Sequence, residues 1–153
     1  MLPRIQWRGK GTPILLACVL LGCGGNNAEI KGRSKVVPVQ GTVMYQGAPL
    51  AGAVVMFHAE AAELTASGLT NEQGVFQLRT YDKTDGAVPG THKVTVKKVE
   101  VKTVPHPDDV NLGPISSEEI WHTPKKYATP AETPLTITVG EQGEKNLAIT
   151  LDE

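Results

Sequence analysis

The stretch VQGTVMYQGAPLAGAVVMF, residues 39–57, decides the fold class of this chain. Val37, Val39, Val43 and Tyr45 fall on one face of an extended run and Gln40, Thr42 and Gln46 on the other, the period of two that a half-buried strand requires. Gly47, Ala48 and Pro49 supply turn chemistry. Residues 53–59 (AVVMFHA) then resume as a run that is apolar on both faces, the pattern of a strand inside a sandwich.

Working outward, further runs carry the same signature. Residues 64–70 read as a strand, the turn TNEQG follows, and residues 75–80 place Phe76 and Leu78 on one face, so this pair is expected to form a hairpin. Asp85-Gly86 and Pro89-Gly90 mark turns ahead of residues 91–101 (THKVTVKKVEV), where Val94 and Val96 alternate with Lys93, Thr95 and Lys97. Leu135, Ile137 and Val139 alternate with Thr136 and Thr138. Leu147, Ile149 and Leu151 close the chain after a turn at 140–143, a second expected hairpin. Helical periodicity is sustained nowhere over about ten residues. Seven strands cut by Gly-rich turns predict an all-β chain, a seven-stranded antiparallel β-sandwich. Residues 102–133 break the pattern: Pro105, Pro107, Pro114, Pro124 and Pro130 oppose regular strands and predict one long Pro-rich loop. Within it, Ser116-Ser117-Glu118-Glu119 reads as the start of a short helical turn.

The 153 residues suit one domain, with 40% hydrophobic and 20% charged residues, which are globular values. A formal charge of -1 with dispersed lysines gives no field to hold a phosphate backbone, so nucleic acid is not an expected partner.

The first residues differ from the rest. Arg4, Arg8 and Lys10 precede the apolar run ILLACVLL (14–21), which is too short to span a bilayer and reads as an export signal. The sequence Leu20-Leu21-Gly22-Cys23 resembles the lipobox of bacterial lipoprotein signal peptides. That resemblance implies a signal peptide at 1–22, cleavage between Gly22 and Cys23, and acyl chains of the palmitate kind on Cys23, with the lipid bilayer as partner. Two or three chains hold firmly because each buried methylene contributes about 0.8 kcal/mol. Residues 23–36 would form the lipidated Cys and a flexible tether, and residues 37–153 the domain. With Cys18 removed and Cys23 acylated, no thiol remains for a disulfide. Gly24 stands where Asp would retain such a protein at the inner membrane. The expectation is therefore a cell-envelope protein, outer membrane favoured, with its domain facing the periplasm or the exterior.

The two stretches VQGTVMYQGAPLAGAVVMF and TNEQGVFQL together resemble the carboxypeptidase regulatory-like, transthyretin-related domains, through Gly47, Pro49, Leu50, Gly52 and Ala53 and then Thr70, Asn71, Gly74 and Phe76. DGAVPGTHKVTV (85–96) and PKKYATPAETPLTITV (124–139) are similar to a lipoprotein subgroup of that family, although Trp121 and Thr123 depart from the Ile-Pro usual there. The resemblance implies a prealbumin or Ig-like sandwich. Its matching residues preserve turns, so it carries an architecture and no active site.

Catalysis is not expected, and neither is a cofactor or a bound metal. Ser67, Ser116 and Ser117 lack a nucleophile elbow, and His58, His92, His106 and His122 lack zinc spacing. His106 and His122 share the long loop with Asp108, Asp109, Glu118 and Glu119, the composition of a weak cation site at most. Asn71, Asp82 and Asp85 read as turn caps. Trp121, His122 and Tyr127 are the candidate ligand contacts, since an exposed Trp stacks on a sugar ring or enters a partner's pocket. In the alternative, Trp121 and Tyr127 fold back as a lid on the sandwich edge. The expected function is a membrane-anchored structural or interaction module contacting envelope protein or glycan. The alternative is a carbohydrate-, peptide- or metal-binding module using the 102–133 loop.

Overall fold

Phe57 and Phe76 come from different sheets, and their rings meet 6.2 Å apart within one apolar core. The structure, a computed structural model, describes residues 32–107 and 113–153; Gly22, Cys23, Asp108 and Asp109 lie outside them. The described strands are β1 (Val39–Tyr45), β2 (Ala48–Pro49), β3 (Val54–Ala59), β4 (Leu64–Leu69), β5 (Val75–Gln77), β6 (Gly90–Lys97), β7 (Val99–Val104), β8 (Ser116–Trp121), β9 (Thr136–Val139) and β10 (Glu144–Leu151). Among the described residues there are thus ten strands, where seven were expected. Each of the seven runs supplies a strand. The extra ones are the two-residue β2 and the pair β7 and β8.

The first sheet is built on β1, which pairs with β10 on one side and with β2 and β5 on the other. The second has the order β4-β3-β6-β9, antiparallel throughout. Inward-facing Val39, Val43, Ile149 and Leu151 of the first sheet share one core cluster with Val55, Phe57, Val94 and Val96 of the second. Strand alternation explains both sets, because each of these residues is followed by one that points away.

Several expectations need correction. The fold is not wholly antiparallel: β1 and β10 run parallel, from Val39 opposite Glu144 to Tyr45 opposite Leu151. Neither expected hairpin forms. After β4 the Asn71 side chain accepts hydrogen bonds from the Gln73 and Val75 N–H groups (3.0 and 2.9 Å), and this turn delivers β5 to β1 in the other sheet. Among the described residues, β4 and the segment after β5 meet at one antiparallel bridge, where Ser67 and Arg79 exchange two backbone hydrogen bonds (2.8 and 2.9 Å). Likewise Val139 pairs with Gly90 in the second sheet while Glu144 pairs with Val39 in the first, so the 140–143 turn crosses between sheets. Apolar residues on both sides of the core draw consecutive strands to opposite sheets.

The long Pro-rich loop is replaced by a ribbon. Residues 91–101 divide at Lys98, whose N–H donates to Thr123 Oγ1 at 3.1 Å, and β7 then pairs with β8 from Val99–Trp121 to Val104–Ser116. Pro105, Pro107 and Pro114 fall between these strands, so no ladder bond is lost to them. Ser116-Ser117-Glu118-Glu119 is strand, not a helical turn, since pairing sets Glu118 opposite Lys102.

The first described residues are held against the segment before β6. Arg33 Nη1 lies 2.7 Å from Asp82 Oδ2 with its guanidinium 4.8 Å over the Tyr81 ring, and Val37 bridges Ala87. The ribbon begins past the other end of β6. Its eight residues put about 25 Å between the two places. The Asp85 carboxylate shapes the first of them, accepting N–H groups of Thr80 (2.7 Å), Tyr81 and Asp82 (both 2.9 Å). Burial opposes its ionisation, but these backbone donors prevail and hold its pKa below the usual carboxylate value.

Candidate ligand groove beside the ribbon

Pairing of Val99 with Trp121 and of Val101 with Glu119 puts these four side chains on one face of the ribbon. That face lines a groove of ≈ 300 Å³ together with Gly52, Val54 and Lys97, where the two central strands of the second sheet, β3 and β6, begin and end. Val101, on the floor of the groove, is 57% exposed. The apolar floor is therefore open to solvent. Trp121 is half-buried, with the Lys125 ammonium 5.3 Å from its ring centroid, a cation–π contact that fixes the indole. Lys97 and Glu119 are the charged groups of the groove. An aromatic plate, an aliphatic floor and one charge of each sign can hold a small amphipathic group. Among these residues there is no nucleophile paired with a base.

The three residues singled out from the sequence do not share a site. His122 points to the other ribbon face, its Nε2 3.3 Å from Glu100 Oε2. Tyr127 is in the core at 2% exposure, where its hydroxyl accepts the Asp152 N–H at 3.0 Å. A short 3-10 turn, Lys125–Tyr127, aims that ring inward while Lys126 donates to the Glu153 carbonyl. Tyr127 thus packs in the core, and of the three residues Trp121 alone lines the groove. Sequence reasoning missed Val99, Val101, Lys97 and Glu119 as its companions. Their signal was present in VEVKTV (99–104), which alternates like any strand.

His58 and His92 are strand residues with local partners, and His106 lies in the connection between β7 and β8. His58 bridges Thr65 Oγ1 (3.2 Å) and Thr95 Oγ1 (3.1 Å); burial first and the neighbouring His92 second lower its pKa, which favours the neutral ring. His92 is buried against Phe57, with ring centroids 5.6 Å apart. Its Nε2 carries the proton, because its partner at 2.8 Å is the Val88 carbonyl, which can only accept. Among the described residues no group of three His, Cys, Asp or Glu is placed to hold a metal, and no helix is long and apolar enough to cross a membrane.

No family model matches the chain, and neither does any curated protein. Among solved structures, a 9R-lipoxygenase from Cyanothece PCC8801 is similar at 12% identity and a TM-score of 0.35, over 76% of this chain. The chain spans 16% of the length of that enzyme.

Proposed function

We propose that this chain is an envelope lipoprotein, cleaved between Gly22 and Cys23 and held to a bilayer by acyl chains on Cys23, whose sandwich domain is a non-catalytic structural or interaction module. The observation that carries the reading is Leu20-Leu21-Gly22-Cys23 behind a basic start and an apolar run too short to span. The shared core of the two four-stranded sheets supports the prealbumin-like sandwich. Gly24 favours the outer membrane. Arg33 and Val37 lie against the segment before β6, and the groove lies at the other end of that strand.

Mass spectrometry of the protein from bacterial envelopes is expected to find an acylated Cys23 at the N-terminus. Cys23→Ser should leave the leader uncut and the acyl mass absent. An unmodified wild-type chain recovered free of membranes would falsify the reading.

The Trp121 groove favours a second reading, in which the module binds a sugar or peptide there. For a ligand found on a glycan or peptide array, Trp121→Ala in the full chain should weaken binding at least about tenfold. Equal binding by that variant excludes the groove.

A further inference from the structure

The ribbon has an open edge with a specific pattern. The His122 N–H donates to the Lys98 carbonyl at 2.9 Å, which fixes the parity of the ladder: even-numbered residues of β7 turn their backbone groups toward β8. Val99, Val101 and Thr103 therefore turn their N–H and C=O groups outward. Those groups have no backbone partner among the described residues, and β7 is exposed from Glu100 to Val104. A two-stranded ribbon is marginal alone, and an unpaired edge is a template for another strand.

We propose that this edge takes a second copy of the same chain, with β7 pairing antiparallel to β7 of the copy about a two-fold axis at Val101. The parity admits that arrangement, since Val101 would exchange both backbone bonds with its mate and Val99 would do so with Thr103. Charge selects the same register. On the solvent face Glu100 then lies opposite Lys102 of the copy, twice over by symmetry. Sliding the strands to either neighbouring allowed register sets Glu100 against Glu100 or Lys102 against Lys102. The other open edge is unsuited, because Glu118 and Glu119 of β8 would meet carboxylates when self-paired about either residue. The pairing covers Val101, and it turns two marginal ribbons into one four-stranded sheet with the order β8-β7-β7-β8. The contact is small, so the association belongs to the weak class of interfaces.

Sedimentation velocity of the full chain in detergent tests this. The wild type should form dimers at about 100 µM, and Glu100→Lys should raise the dissociation constant at least about tenfold by opposing like charges. Glu100→Lys combined with Lys102→Glu should restore it, because the reversed pair is again complementary. Val101→Pro, which removes the central N–H, should abolish the dimer while the thermal unfolding midpoint of the charge variants stays at the wild-type value. A monomeric wild type overturns the proposal. So does a dimer indifferent to Glu100→Lys and Val101→Pro, or a charge-swapped double variant no tighter than the single one.

Discussion

Replacing Gly86 by Ala is expected to destabilise the domain by about 3–5 kcal/mol, a loss of about 10–25 °C in the unfolding midpoint. Gly86 has φ +101, a region that L side chains rarely adopt, and an added Cβ would stand 1.8 Å from the Val37 carbonyl oxygen. That oxygen cannot swing aside. Val37 and Ala87 exchange two backbone hydrogen bonds (2.8 and 3.0 Å), and the Gly86 N–H itself donates to Leu78 at 3.1 Å. On the other flank the Asp85 carboxylate ties down three backbone donors, and the Thr80 hydroxyl donates to the Gly86 carbonyl at 2.8 Å. Clash and strain therefore fall on a segment pinned from both sides. A Gly86→Ala protein melting within about 2 °C of wild type would show that the segment yields.

Phe57→Ala should cost a similar amount, about 3–5 kcal/mol, by leaving a cavity that its neighbours fill only in part. The ring is fully buried, with the Phe76 ring on one side and the His92 ring on another. Its cross-strand partners Ala66 and Val94 are buried too and have no flexible side chain to lend. Met56, one residue earlier, is 37% exposed on the opposite face of β3, so Met56→Ala should cost no more than about 1 kcal/mol. Chemical denaturation of the two variants reads the strand register directly. A larger loss for Met56→Ala than for Phe57→Ala would mean that β3 is turned the other way, since a slip of one residue exchanges its faces.

Periodicity made the all-β class and the inward residues legible. Val39 and Val43, Val55 and Phe57, and Val94 and Val96 all alternate with polar or less buried neighbours, and all are buried. Pairing partners were less legible, because alternation says which way a side chain points and not which strand lies beside it. The parallel contact of β1 with β10 and the separation of β4 from β5 are facts of that second kind. The ribbon escaped for another reason: the prolines that suggested a loop lie between its strands, and the Ser-Ser-Glu-Glu preference for a helix start yielded to cross-strand pairing. Trp121 stood out in the sequence. Its groove did not, because Lys97 and Glu119 reach it only once β6, β7 and β8 are in place. The fate of Tyr127 was equally hidden, for KKYATP has no period from which burial could be read.

The pairing of β1 with β10 has a consequence for biosynthesis. The opening strand waits for its long neighbour until about 100 further residues have emerged, and closing so wide a loop is entropically slow. A nascent chain that lacks Glu144–Leu151 has only the short β2 and β5 to lay against β1, too little to set the sheet. Such a polypeptide completes its first sheet only once β10 has been made.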